Sequence, residues 1–110
     1  MSEKRLVIDQ LRLNYDGLFN THDFFTTIMA FYYERGYDML ENRNHEFTTP
    51  KGKVLEIELK PWKKTTDYAK SEFRIRIFIK DLKDVEVNKD GAKVKIQQGN
   101  LQLILDAYLV

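Results

Sequence analysis

Two histidines are the first place to look for acid–base or metal chemistry in this chain. His22 is followed by Asp23 at what reads as a helix start. Adjacent residues on a helix do not face each other, so a surface histidine near a cap is the expectation. His45 precedes Glu46 in a stretch that reads as a strand, where successive side chains point to opposite faces. The spacings that hold metals on one face are missing, and cysteine is absent. Thiolate zinc sites, disulfides and thiol chemistry are therefore excluded, and no metal or cofactor is expected. The serines are Ser2 and Ser71, and neither sits in a Gly-x-Ser-x-Gly elbow. The glycines are dispersed, so there is no phosphate-cradling loop and no dinucleotide fingerprint. Glu56, Glu58 and Glu72 could act as general acids or bases. They also alternate with aliphatic residues, Glu56 and Glu58 opposite Arg76 and Arg74 and Glu72 opposite Lys60, and cross-strand charge pairing accounts for them. The inventory leans away from an enzyme.

Two groups of residues remain as binding candidates. Lys60, Lys63, Lys64 and Lys70 surround Trp62 and Tyr68. Single-stranded nucleic-acid sites mix flat aromatics with cations in this way. Protein interfaces do so as well. The alternative is that Trp62 folds back onto the core while the lysines stay solvated. The second group is the aromatic set Phe24, Phe25, Phe31, Tyr32, Tyr33 and Tyr37, with Met29 among them. These residues suit a core, an interface, or the wall of a cavity for an apolar small molecule.

Composition narrows the classes. With 110 residues the chain is expected to form one α+β domain, 1–110, around one core. A hydrophobic share of 43%, a charged share of 32% and a net charge of +1 describe an ordinary soluble protein. That charge argues against a general polyanion binder, which needs a strongly basic surface. Met-Ser-Glu-Lys-Arg leads into no long apolar core, so no signal peptide is expected. No apolar run approaches a membrane span. Membrane partners are not expected, and a cytoplasmic location is the default.

The elements that must position these residues can be read from pattern. Residues 5–15 alternate imperfectly as a strand, and Asp16-Gly17 signals a turn. Asn20 or Thr21 caps a helix running to about Arg35, with Gly36 as its left-handed terminator. That helix is apolar over more than the arc one sheet can bury. Residues 37–48 are read as a strand that turns at Thr49-Pro50-Lys51-Gly52, setting Arg43 opposite Glu58 and Glu41 opposite Lys60. Strands 53–60 and 72–80 are complementary about Thr66. Glu56, Glu58 and Lys60 then pair with Arg76, Arg74 and Glu72, while Leu55, Ile57 and Leu59 pair with Ile77, Ile75 and Phe73. Pro61 should end or bend its strand, leaving 60–70 as a loop. Asn88-Lys89-Asp90-Gly91 is a turn that sets Glu86 opposite Lys93 and Val85 opposite Val94. Apolar positions are even in 92–96 and odd in 101–109. Either Gly99-Asn100 turns the chain into a separate strand or, the preferred reading, a bulge with positive φ at Gly99 explains that flip and brings Ile79, Ile77 and Arg74 to Leu101, Leu103 and Asp106.

The expected fold is one α-helix packed on a twisted antiparallel β-sheet, in β-α-β-β-β-β order, with a long bulged C-terminal hairpin. The arrangement resembles helix-grip ligand-binding folds in topology alone, and no binding residue carries over from them. Strand 101–110 is expected at an exposed, apolar sheet edge. The functional expectation is a non-enzymatic protein-interaction or assembly module. It would act as a homo-oligomer, most simply a dimer, or as a subunit of something larger. Phe25, Met29, Tyr32, Tyr33 and Leu103 are the expected contact residues. The alternatives are a small apolar-ligand carrier with its cavity between helix and sheet, and a single-stranded nucleic-acid binder using Trp62, Lys63, Lys64, Tyr68 and Lys70.

Overall fold

The structure is a computed structural model and describes residues 5–110. The Met1–Lys4 segment, read for the absence of a leader, lies outside the described residues. Five strands and one helix follow in the order β1 (Arg5–Phe19), α1 (Thr21–Glu34), β2 (Asp38–Thr49), β3 (Gly52–Lys64), β4 (Lys70–Lys89) and β5 (Ala92–Leu109). The strands form one antiparallel sheet in the order β1-β5-β4-β3-β2. The helix carries the chain from one edge of the sheet to the other. This is the α+β arrangement expected from the pattern.

Local chemistry sets the ends of α1. Asn20 Oδ1 accepts the backbone N–H of Asp23 at 3.1 Å, the usual work of an N-cap asparagine. Gln97 Oε1 on β5 accepts both the N–H and the hydroxyl of Thr21, at 2.9 and 2.6 Å, and fastens this end to the sheet. At the other end Gly36 takes φ +79°. Gly36 N–H donates to Tyr33 O and Tyr37 N–H to Tyr32 O, both at 3.0 Å. This pair of bonds is a Schellman termination, and it needs a left-handed residue where glycine stands.

Three registers differ from expectation. β3 and β4 pair two residues further along than the charge pattern implies: Ile57 lies opposite Ile77, Glu58 opposite Arg76 and Leu59 opposite Ile75. A shift of two keeps every side chain on its face, so hydrophobic alternation cannot detect it. Pro61 does not end β3. It is among the most fully buried residues and sits opposite Met39, while the ladder to β4 skips Lys60 and Pro61 and resumes at Trp62 opposite Glu72. A missing proline N–H interrupts the ladder locally without stopping the strand. Arg43 does face Glu58, but an irregularity between Glu41 and Arg43 moves Glu41 to Leu59.

The third difference concerns Gly99. The expected neighbours are found, with Ile79 opposite Leu101, Ile77 opposite Leu103 and Arg74 opposite Asp106. The bulge, however, is in the other arm. Its irregularity lies between Lys80 and Lys83, and Asp81 takes φ +55°. Gly99 is not among the positive-φ glycines and pairs regularly with Gly17 of β1. It is needed for space instead. A Cβ there would lie 3.2 Å from both Leu82 Cα and Lys80 O. The turn at Asp90-Gly91 has φ of 51° and 79°, the mirror-image geometry that suits a two-residue hairpin. It sets Glu86 opposite Lys95 and Val85 opposite Ile96, not Lys93 and Val94.

Because β5 runs regularly through Gly99, its apolar residues change face there. Leu101, Leu103 and Leu105 pack toward α1. Val94 and Ile96, across from Val87 and Val85, lie on the opposite side of the sheet. The core sits under α1 and comprises Tyr32, Leu59, Ile75, Ile77, Ile79, Leu82 and Leu101. Ile79, at 0% exposure, is its centre. Phe24, Phe25 and Ile28 from α1, with Tyr37 and Phe73, close around it.

Candidate functional site

The helix aromatics divide among three places. Tyr32 is buried, with ring centroids 5.4 Å from Tyr37, 5.2 Å from Phe73 and 5.1 Å from Phe31. Burial, helped by the neighbouring Tyr37, pushes its hydroxyl up to about 12. Phe25 and Met29 lie on the β2 side of α1, lining a groove of about 260 Å³ with Glu41, Leu55 and Ile57. Tyr33 projects into solvent at 81% exposure. Leu103 lies on the β1 side, in another groove of about 260 Å³ lined also by Ile28, Phe31, Tyr32 and Leu105. Both spaces open to solvent along the flanks of α1. The gap directly beneath the helix is filled by Tyr32 and its core neighbours.

The groove beside Leu103 continues outward onto β1. Leu11, Leu13 and Tyr15 lie opposite Leu105, Leu103 and Leu101, so they share the helix side of the sheet. Ile8 lies opposite Ala107 in the same way. These side chains are well exposed: Leu11 57%, Leu13 54%, Tyr15 44% and, on α1, Phe31 47%. β1 pairs with β5 on one side, and among the described residues no strand pairs with its other side. The expectation that 101–110 forms the edge is corrected accordingly. β5 lies between β1 and β4, and Leu101 and Ala107 are buried. The first strand returns to pair with the last, an association that reading along the chain does not reveal. The missed signal was β1 itself, whose Leu6, Val7, Ile8, Leu11 and Leu13 exceed what one buried face requires.

The aromatic and lysine segment does not assemble into one platform. β3 continues through it, so the pleat separates its side chains. Lys63 turns to the helix side, where its Nζ donates to Arg35 O at 2.9 Å and lies 5.9 Å from the Tyr37 ring. There it places a cation at the helix C-terminus, where the dipole favours one. Trp62 points the other way, with Lys70 Nζ 4.7 Å from its ring centroid. Lys64 is 4.0 Å from Asp67, and the Tyr68 side chain points into solvent from the loop at 95% exposure.

On the sheet face opposite α1, ion pairs run across the strands. Arg43 meets Glu56 at 2.8 Å, and Arg74 meets Glu58 at 2.9 Å. The Glu58 hydrogen bond holds Arg74 still more firmly protonated. Arg76 meets Asp106 at 3.1 Å. Asp106 is 3% exposed and also accepts the N–H of Gln10 at 2.7 Å, which pins an irregular stretch of β1. These contacts account for Glu56 and Glu58 as structural pairs. His22 and His45 are both exposed, and among the described residues no group of three or more potential ligands converges on a metal position. A scan against protein-family models and searches of curated proteins and of solved structures return no match.

Proposed function

We propose that this protein is a non-enzymatic interaction or assembly module, acting in the cytoplasm, that pairs with a further chain of its own kind through the apolar surface running from the flank of α1 onto the edge strand β1. The observation that carries this reading is the continuity of Phe31 on α1 with Leu103 and Leu105 on β5 and with Leu11, Leu13 and Tyr15 on β1. The outer members of this surface are about half exposed. Covering a large apolar side chain is worth roughly 1.5–3 kcal/mol. Contiguous patches of this sort mark interaction sites in soluble proteins. Association recovers part of that energy, less the cost of lost rigid-body freedom.

The test is sedimentation velocity with light scattering over a wide concentration range. Wild type is expected to sediment above the monomer mass. Leu13→Lys and Phe31→Glu are each expected to return it to the monomer. A wild-type monomer at the highest concentration reached would overturn the reading. A second reading, favoured by the groove beside Leu103, is the binding of an apolar small molecule between α1 and β5. A monomeric protein that binds an apolar fluorescent probe, and loses that binding on Leu103→Lys, would support it.

A further inference from the structure

We propose that two copies join edge to edge through β1, antiparallel, about a twofold axis perpendicular to the sheet at Asn14. The two five-stranded sheets then become one continuous sheet. This rests on the interaction reading above and names its partner and register. Residues 11–19 of β1 keep an uninterrupted ladder with β5, so their outward backbone groups are spaced for another strand. The irregularities of β1 lie before Leu11. The opposite edge is protected. β1 carries charges too, at Arg5, Asp9, Arg12 and Asp16, but its irregularities leave 11–19 regular, whereas β2 is broken in mid-strand between Glu41 and Arg43, and such a break discourages edge pairing.

The register follows from the residues. Side chains directly opposite each other share a face, so a perpendicular twofold must pass through a residue position. Centred on Arg12, the pairing sets Arg12 against its own copy. Centred on Leu13, it sets Arg12 against Asn14. Centred on Tyr15, it sets Asp16 against Asn14. Centred on Asn14, it places Arg12 opposite the second copy's Asp16, and Asp16 opposite the second copy's Arg12. The Arg12–Asp16 pair thus forms twice, on the side away from α1. On the helix side the same register sets Leu13 opposite the second copy's Tyr15, an aliphatic–aromatic cross-strand pair. Both helices then stand on one side of the joined sheet. Leu11, Leu13 and Tyr15 of the two copies form a common apolar floor between them.

The chain has no cysteine, so one introduced residue reports position without ambiguity. Residues facing each other across antiparallel strands have Cα atoms roughly 4.5–5.5 Å apart, within disulfide range. Asn14→Cys is expected to give a disulfide-linked dimer on mild oxidation, whereas Leu18→Cys, far from its own copy in this register, is not. Arg12→Asp and Asp16→Arg are each expected to weaken association on the order of tenfold, because two opposite-charge pairs become like-charge pairs. Mixing these two variants restores association, as every pair across the heterodimer is again opposite in sign. Self-association with no Asn14→Cys linkage and no response to the charge variants would overturn the edge pairing while leaving the interaction reading standing. A wild-type monomer at all concentrations would overturn both.

Discussion

Arg74 and Glu58 meet at 2.9 Å although Arg76 is the residue directly opposite Glu58. Long side chains reach diagonal neighbours, so an observed ion pair does not report the strand register by itself. The aliphatic positions are less forgiving. Ile75 is 3% exposed in the core, and Ile75→Ala is expected to cost about 2–5 kcal/mol in urea unfolding. Tyr32 carries a pH signature. Its hydroxyl titrates near 10 in the unfolded chain and at about 12 in the folded one. Between these values the folded state binds more protons. Stability therefore falls as pH rises through this window, by up to about 1.4 kcal/mol per pH unit. Below pH 10 the effect vanishes. Tyr32→Phe should flatten this part of the pH–stability curve relative to wild type.

Among the elements, the long β4–β5 hairpin shows how one inserted residue redirects a surface. The bulge at Asp81-Leu82 lets Leu82 reach the core and leaves Gly99 facing it from β5. The backbone of Gly99 is ordinary, so the constraint is space. Gly99→Val should destabilise by about 1–3 kcal/mol in chemical denaturation, the scale of overpacking, and Gly99→Ala by less. Were the two variants equally harmless, the contact with Leu82 and Lys80 would not be limiting. Before Gln97, β5 is paired by β4 alone, and Val85, Val87, Val94 and Ile96 form an apolar stripe on the face away from α1.

At the scale of the molecule, one helix cannot cover a sheet this long. The described chain measures 57 × 29 × 19 Å, whereas a helix of 14 residues spans about 21 Å. Among the described residues no helix is long and apolar enough to cross a membrane. Apolar surface therefore remains along the flanks of α1 and on β1. Ligand-type linkage makes a testable consequence of its coverage by a second copy. The thermal midpoint of wild type should rise with protein concentration, and in Phe31→Glu it should not. Differential scanning fluorimetry across a dilution series would show this.

The sequence alone determined the kind and order of elements. Helix caps, turn residues and period-two alternation are local, and Asn20, Gly36 and Asp90-Gly91 act within a few residues of themselves. It also determined which residues share a face within each regular stretch, since alternation survives any even shift. The tertiary structure decided what depends on distant partners. It set the β3–β4 register, because two alignments two residues apart keep the same faces and both give charge contacts. It placed the bulge in β4 and sent Val94 and Ile96 to the face away from α1, because a parity change in β5 marks either a bulge that keeps one face or a regular strand whose apolar residues change face. It divided Trp62 from Lys63, because the pleat of a strand that continues through Pro61 sends neighbours to opposite sides. It moved the exposed edge from β5 to β1, because pairing between the first and last strands is a contact between chain segments nearly a hundred residues apart, about which local periodicity carries no information.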